Sequence, residues 1–177
     1  MTRLVLINGA PGSGKSTVAQ SLAGAQALAL ALDIDQLKHA LGEWEQDPVA
    51  SGLQARRLAL AVIDEQLGSG HDVFVGQYLA RTEFIEALQD AAERRSAAFH
   101  ELILDVDADV LAERLRGRDE TPTRPEHAVN ARLVGPSDAS ELAASLDILR
   151  DARPGALWID GNGPLEQTIT SIETVLG

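Results

Sequence analysis

The segment Gly9-Ala10-Pro11-Gly12-Ser13-Gly14-Lys15-Ser16 directly follows the apolar run Leu4-Val5-Leu6-Ile7. Its spacing matches Gly-x-x-x-x-Gly-Lys-Ser/Thr, the pattern of a phosphate-binding loop between a strand and a helix. Glycines let the backbone curl so that successive N–H groups point at anionic oxygens, and a helix opening at Lys15 directs the positive end of its dipole at the same place. The segment therefore predicts an α/β fold with a nucleoside triphosphate site.

The side chains of this loop predict individual roles. Lys15 is expected to reach the β- and γ-phosphates, Ser16 to place its hydroxyl on Mg²⁺, and Thr17 to contact the α-phosphate. The predicted nucleotide-contacting residues are Gly9, Ala10, Pro11, Gly12, Ser13, Gly14, Lys15, Ser16 and Thr17. An ordinary glycine-rich turn is the competing interpretation, but it does not account for Lys-Ser at the required offset.

Length and composition restrict the function. The 177 residues are enough for one α/β domain, and we expect residues 1–177 to form it. A net charge of −12, without a Lys/Arg block, disfavours nucleic acid and anionic lipid as partners and favours small molecules. The absence of cysteine excludes disulfides and thiolate metal sites. With no signal-like leader and no membrane-spanning apolar run, a cytoplasmic enzyme is expected.

Apolar runs alternate with helical patterns, which predicts βαβ units and a three-layer α/β/α fold with a five-stranded parallel sheet. The expected strands are 4–8, 27–32, 72–76, 99–106 and 156–160, although 27–32 also has the composition of a helix. The expected helices are 15–22, 36–41, 53–67, 81–94, 109–115, 140–150 and 165–176. Residues 117–137 are polar with prolines and are predicted to form a mobile lid.

Asp33 and Asp35 stand at the end of the second predicted strand. Parallel strands end at the same edge of a sheet, so both carboxylates are expected near the phosphate loop. A spacing of two puts them on one side of an extended backbone, where one can help to hold hydrated Mg²⁺ and the other can accept a proton. The alternative is an acidic helix start, with Asp35 capping a helix from Gln36.

Together, residues 9–17 and the Asp-x-Asp pair resemble the small P-loop kinase or AAA-type ATPase family, in particular the shikimate, gluconate and adenylylsulfate kinases. The segment 32–37 also resembles chloramphenicol phosphotransferase and, more loosely, zeta-toxin-like sugar-nucleotide kinases. The resemblance implies a P-loop NTPase fold and assigns Asp35 as catalytic base or anchor of the substrate hydroxyl. It assigns Asp33 a contact to Mg²⁺ through water.

The third predicted strand departs from a common P-loop pattern. Many P-loop proteins place an Asp after this apolar run to hold Mg²⁺, but here Val75 is followed by Gly76. The departure disfavours a motor or GTPase and agrees with kinases that hold the metal through the loop serine and an acidic pair. Gln77, Tyr78 and Arg81 are candidate acceptor-binding residues; the alternative is that Tyr78 lies in the core and Arg81 opens a helix.

Arginines recur in and before the predicted lid, at Arg114, Arg116, Arg118, Arg124 and Arg132. A guanidinium can stabilise charge on a transferring phosphoryl group when a lid closes. The resemblance selects Arg118 as this catalytic lid arginine. Arg114 and Arg116 do not face the same way on a helix, so at least one is expected to be solvated surface.

The resemblance also implies that the turn at Gly161 lies beside the base of ATP, although an ordinary turn is equally compatible with its sequence. The predicted function is an ATP- and Mg²⁺-dependent kinase whose acceptor is a hydroxyl of a small molecule, such as an antibiotic, a sugar or a sugar nucleotide. Two alternatives remain open at this point. They are a nucleotide-binding regulator or slow ATPase without an acceptor, and a kinase of nucleic-acid ends, which requires a basic groove.

Overall fold

The sheet has five parallel strands in the order β2-β3-β1-β4-β5. The computed structural model describes residues 1–120 and 134–177, with side chains described up to Gly117 in the first range. The strands are β1 Arg3–Gly9, β2 Leu30–Leu32, β3 Val73–Gln77, β4 Ala98–Asp105 and β5 Leu157–Asp160. The predicted five-stranded parallel sheet is thus confirmed.

Helices connect the strands. They are α1 Lys15–Gly24, α2 Ile34–His39, α3 Pro48–Gly68, α4 Thr82–Arg94, α5 Ala108–Glu120, α6 Ala139–Ala144, α7 Ile148–Ala152 and α8 Leu165–Leu176, with a 3-10 turn at Pro136–Asp138. Among the described residues, no helix has both the length and the apolar character needed to cross a membrane.

The central strand, β1, determines the position of the phosphate loop in the fold. Leu4, Val5, Leu6 and Ile7 of β1 are fully buried, as expected for a parallel strand that is covered on both faces. In register, Leu6 lies opposite Val75 of β3, and Gly9 lies opposite Leu104 of β4. The loop that follows Gly9 therefore leaves the carboxyl edge of the sheet at its centre.

The second strand is shorter than predicted. The segment 27–32 was expected to be extended throughout, but only Leu30–Leu32 pairs with β3. Leu28 has a φ of 57° and is 73% exposed, so the chain turns there before it enters the sheet. At Ala27 and Leu28 the apolar run reflects composition rather than burial, since both are exposed.

Two helices begin earlier than predicted. The helix expected over 36–41 is Ile34–His39, because the carboxylate of Asp33 accepts the N–H of Asp35 and caps it. The alternative in which Asp35 caps a helix from Gln36 is thus wrong, because Asp33 is the cap. The helix expected over 53–67 is Pro48–Gly68: Asp47 accepts the N–H groups of Val49 and Ala50, and proline fits the first helical turn.

The region around the predicted lid also differs. The helix expected over 109–115 continues as Ala108–Glu120, so the first residues of the predicted lid 117–137 are helical. The remainder of that lid falls largely outside the described residues. The helix expected over 140–150 is divided into α6 and α7, and Ser145 Oγ donates to the carbonyl of Leu142 at 2.6 Å between them.

Candidate active site

The loop between β1 and α1 has the shape of an anion cradle. Gly12 and Gly14 have φ values of 88° and 92°, in the left-handed region where a side chain is strained. Lys15 begins α1, and its Nζ lies 3.4 Å from the carbonyl oxygen of Ala10, so the lysine folds back over the loop. The positive end of the α1 dipole and the lysine charge therefore meet at one place.

Asp33 reaches this loop from the end of β2. Its Oδ2 accepts from the Ser16 hydroxyl at 3.4 Å, while its Oδ1 accepts the N–H of Asp35 at 3.0 Å. Asp35 lies in the first turn of α2, so the prediction that both acids share one extended face is wrong. The helix cap nevertheless holds the two acids side by side, with Asp33 next to the loop serine.

The environment of Asp33 disfavours its negative charge. Burial raises the pKa of the Asp33 carboxyl, and the neighbouring charge of Asp35 raises it further. The N–H bond from Asp35 and the charge of Lys15 oppose the rise. A cation between Asp33 and Ser16 would therefore relieve a real electrostatic cost.

Gly76 explains why no acid follows Val75. A Cβ built on Gly76 would lie 3.1 Å from the carbonyl oxygen of Lys15 and 3.1 Å from the Cα of Ser16. Both are backbone atoms at the start of α1, which do not move aside as a flexible side chain can. β3 and α1 are thus packed so closely that a side chain at this position would require the backbone of α1 to shift.

Asn8 is a site residue that the sequence analysis missed. It is fully buried, and its Oδ1 accepts the N–H groups of Gly9 at 2.8 Å and Leu79 at 2.9 Å. Its Nδ2 donates to the carbonyl of Leu79 at 2.8 Å. Asn8 therefore fastens the start of the phosphate loop to the segment after β3. A polar residue at the end of an apolar strand was the available signal.

The three candidate acceptor-binding residues differ in their surroundings. Gln77 is half-buried at the carboxyl end of β3, and its Oε1 is buried without a hydrogen-bond partner among the described residues. The Tyr78 hydroxyl lies 2.8 Å from Ser145 Oγ, which already donates to Leu142, so Tyr78 donates this bond. Arg81 is exposed and precedes α4. Of these three residues, Gln77 is the one with a buried polar atom that has no partner in the described part of the chain.

A cavity of about 320 Å³ lies on the other side of the phosphate loop. Its lining includes Ser13, Gly14, Thr17, Arg114, Gly161 and Pro164. The volume falls within the range of small-ligand pockets. The N–H of Gly161 donates to the carbonyl of Asp105 at 2.8 Å, which fixes the turn after β5 against β4. Gly161 and the phosphate loop therefore share one cavity.

Arg114 joins the two sides of this cavity. Its guanidinium donates to the carbonyls of Ser13 at 3.4 Å, Asn162 at 3.3 Å and Gly163 at 3.2 Å. Arg118, the lid arginine expected from the resemblance, has its backbone in α5, but its side chain lies outside the described residues. Arg116 is exposed. The sequence offered one signal for Arg114: it lies four residues before Arg118 and therefore on the same helix face.

Arg124 and Arg132, the other arginines of the predicted lid, also lie outside the described residues. Within the described part of the chain, no group of three or more His, Cys, Asp or Glu residues has metal-binding geometry. Ser16 and Asp33 are the oxygen groups that the fold brings together beside the loop. Mg²⁺ usually takes one or two protein oxygens and completes its shell with water and phosphate, so this pair fits it.

Comparison with known proteins agrees with this geometry. A family model described as an AAA domain matches residues 4–135. The chain belongs to the AAA domain family. Uncharacterized proteins of Mycobacterium tuberculosis and Mycobacterium bovis are each 29% identical over 180 residues, covering 94% of this chain and 33% of their own length. This AAA domain chain thus spans about a third of those relatives.

Solved structures share the fold of this AAA domain protein. A gluconokinase from Sinorhizobium meliloti matches with a TM-score of 0.61 and 20% identity, over 97% of this chain and 91% of its own. The tunicamycin resistance protein of Deinococcus radiodurans matches with 0.66 and 20%, over 100% and 96%. APS kinase of Mycobacterium tuberculosis, in complex with AMPPNP and APS, matches with 0.64 and 20%, over 99% and 97%. The fold is that of the P-loop kinases.

Proposed function

We propose that the protein is an ATP-dependent phosphotransferase, acting as one domain, that moves the γ-phosphate to a hydroxyl of a small molecule. The observation that carries the proposal is the 3.4 Å approach of Asp33 Oδ2 to Ser16 Oγ. It brings an acidic pair beside the phosphate loop, where a kinase needs both a metal-supporting oxygen and a proton acceptor.

The phosphate side of the proposed reaction depends on charge. The loop amides and Lys15 hold and orient the phosphates, and the start of α1 adds its dipole. The oxygens of Ser16 and Asp33 are the groups that would hold Mg²⁺, which when bound would supply positive charge beside the phosphates. Ser16 would hold the ion directly, and Asp33 would support it through its free carboxylate lone pairs. Gly9 through Thr17 form the proposed nucleotide-contacting set.

The acceptor side depends on Asp35. The capping bond from its N–H to Asp33 fixes the start of α2, so Asp35 stays next to Asp33, whose carboxylate contacts the loop serine. In the proposed mechanism, Asp35 orients the acceptor hydroxyl and takes its proton as the oxygen attacks the γ-phosphorus. Gln77 offers an acceptor of hydrogen bonds nearby, Tyr78 and Arg81 complete the proposed binding set, and Arg118 is the proposed lid cation.

The base of ATP is proposed to occupy the 320 Å³ cavity. Arg114 of α5 and Pro164, just before α8, both line this cavity. The flat ring of a base can pack against the plane of the guanidinium. The phosphate loop borders the same cavity through Ser13 and Thr17. A base bound there would therefore place its phosphates in the cradle without crossing the sheet.

The names of the similar structures indicate the range of acceptors to be tried. They describe a gluconokinase, a tunicamycin resistance protein and an APS kinase, and each name mentions a different small molecule. The acceptor class therefore remains at the level of a hydroxylated small molecule such as a sugar, a sugar nucleotide or an antibiotic. A net charge of −12 favours such partners over nucleic acid.

A transfer assay tests the proposal. The protein, Mg²⁺ and γ-labelled ATP are incubated with sugars, sugar nucleotides and hydroxylated antibiotics, and label is followed into the acceptor. We expect transfer to one of them, and we expect Asp35→Asn to lower it by ~10²- to 10⁴-fold while ATP affinity stays close to that of the unaltered protein. Asp90→Asn, at an exposed position of α4, serves as the control.

The opposite outcome identifies the competing function. ATP binding without transfer to any acceptor, together with ATP-dependent binding to another protein, would make the chain a nucleotide-dependent regulator. Unchanged transfer by Asp35→Asn would remove Asp35 from the mechanism even if the protein is a kinase.

A further inference from the structure

A second cavity, of about 430 Å³, lies toward the amino ends of β4 and β5, at the edge of the sheet opposite the phosphate loop. Its lining includes Glu93, Ala97, Phe99, Glu101, Arg153 and Gly155. Glu101 lies opposite Leu6 of β1, three residues before Leu104, which is level with Gly9. At about 3.3 Å per strand residue, its backbone is roughly 10 Å from the start of the phosphate loop. The cavity is therefore separate from the proposed nucleotide site.

Glu101 is the unusual residue of this cavity. It is 6% exposed, and its Oε2 accepts from Arg153 Nε at 2.8 Å. Its Oε1 is buried, and no donor within the described part of the chain bonds to it. Burial raises the pKa of the Glu101 carboxyl, although Arg153 opposes the rise. An unsatisfied buried carboxylate oxygen is costly, so a donor at this place would be favourable.

Neighbouring groups hold Arg153 in place. Arg153 Nη2 donates to Gln89 Oε1 at 2.8 Å, and Gln89 Nε2 donates to Glu93 Oε1 at 3.0 Å. The cavity thus contains two carboxylates, Glu93 and Glu101, and one guanidinium. Arg153 pairs with Glu101, so the negative charge in excess is that of Glu93, which is exposed, while the buried atom without a partner among the described residues is Glu101 Oε1. The remaining walls are small or apolar and are formed by Ala97, Phe99, Ala152, Pro154, Gly155 and Ala156.

We propose that this cavity is a second ligand site that takes a small organic cation, with a primary ammonium group on a short apolar body. The ammonium would donate to Glu101 and balance the extra negative charge, and the body would pack against Phe99 and Pro154. An anion would be repelled, and a neutral alcohol would leave the charge unbalanced. The inference does not depend on the proposed kinase activity.

Amide chemical shifts provide the test. Benzylammonium is titrated into the ¹⁵N-labelled full chain up to about 50 mM, which covers millimolar affinity. We expect saturable shifts at residues 97–101 and 153–156. Benzyl alcohol, of the same shape but uncharged, is expected to bind at least about tenfold more weakly, and Glu101→Gln is expected to reduce the affinity for benzylammonium by a similar factor.

A second variant keeps the test decisive if Glu101→Gln fails to fold. A Cβ at Gly155 meets no atom within 4 Å, so the backbone has room for a side chain there, and Gly155→Leu is expected to add bulk at the cavity and abolish the shifts. Gly24→Leu, where a Cβ is equally unobstructed, is the matched control and should bind normally. Equal binding of the charged and neutral probes, or no saturable shift at these residues, would overturn the proposal.

Discussion

The two sides of the phosphate loop are held by different kinds of contact. On the β2 side, the contact is between side chains, the Asp33 carboxylate and the Ser16 hydroxyl at 3.4 Å. On the β5 side, the Arg114 guanidinium donates to backbone carbonyls of Ser13, Asn162 and Gly163. The first arrangement concentrates ionisable oxygen near the phosphates, whereas the second fixes the shape of a cavity.

This difference separates two tasks that a phosphotransferase must perform. Charge near the phosphates affects the transition state, where negative charge is redistributed. In the proposed mechanism, the cavity bordered by Arg114 would hold the base and would affect how tightly the nucleotide binds. Substitutions on the first side are therefore expected to change turnover, and substitutions on the second side to change the KM for ATP.

The largest effect is expected at Lys15. Lys15→Met removes the cation of the phosphate loop, and we expect phosphoryl transfer to fall by at least ~10²- to 10³-fold, with weaker ATP binding. The control is available because the chain has one other lysine, Lys38, which lies 5.1 Å from the Trp44 ring. Lys38→Met should leave ATP affinity nearly unchanged in calorimetry. Equal ATP affinities of the Lys15→Met and Lys38→Met variants would contradict the assignment of the loop at Lys15 as the phosphate-binding loop.

The next effect concerns the close packing of β3 against α1. Gly76→Ala places a Cβ 3.1 Å from two backbone atoms of Lys15 and Ser16, and we expect a loss of about 1–3 kcal/mol in the free energy of unfolding. Gly52→Ala is the control, since its Cβ meets no atom and lies within α3, where alanine stabilises by about 0.5–1 kcal/mol. Denaturant titration measures both, and equal stability changes would show that β3 adapts freely.

A smaller effect is expected on the cavity side. Arg114→Ala should raise the KM for ATP by about tenfold while kcat changes little, because the charge-assisted bonds that shape the cavity are lost. Arg116→Ala, at an exposed position two residues later on α5, provides the matched control. Steady-state kinetics over a range of ATP concentrations separates the two parameters. A loss confined to kcat would instead place Arg114 at the transferring phosphate.

The smallest effect is a gain in stability at Asp33. The folded state raises the pKa of Asp33, so folding loses stability as pH rises from the ordinary carboxyl pKa through the raised value. Asp33→Asn keeps a good cap and removes the charge beside Asp35. Without nucleotide, we expect a higher melting temperature near neutral pH and a smaller difference in acid.

Asp47→Asn provides the comparison for this pH dependence. Asp47 also caps a helix, through the N–H groups of Val49 and Ala50, but it is exposed. Thermal melts of both variants across acidic and neutral pH should therefore show a stabilising, pH-dependent change at Asp33 alone. A lower melting temperature for Asp33→Asn at neutral pH would mean that its bond with Ser16 outweighs the burial of its charge.

Local spacing made part of this site predictable. The residues of the phosphate loop are contiguous, and the alternation of apolar runs with helical patterns predicted the parallel sheet. The start of α2 was missed because the decision between Asp33 and Asp35 as cap depends on one hydrogen bond. A sequence with two acids two residues apart does not distinguish these alternatives.

The residues that the sequence did not reveal act over long distances along the chain. Asn8 bonds to a residue 71 positions away, and Arg114 bonds to one 101 positions away. Neither residue type carries a motif, so only the folded chain shows what each contacts. The same applies to Gly76, whose meaning depends on how closely α1 approaches β3.

Asn8 has a mechanical consequence for any conformational cycle. One buried amide is bonded both to the N–H of Gly9 and to both backbone groups of Leu79. The entrance to the phosphate loop and the segment that carries Gln77 and Tyr78 must therefore travel as a single rigid block. A hinge that opens the cleft has to lie outside that block, and in the proposed reaction ATP and the acceptor would approach each other through movement of the other elements around this fixed pivot.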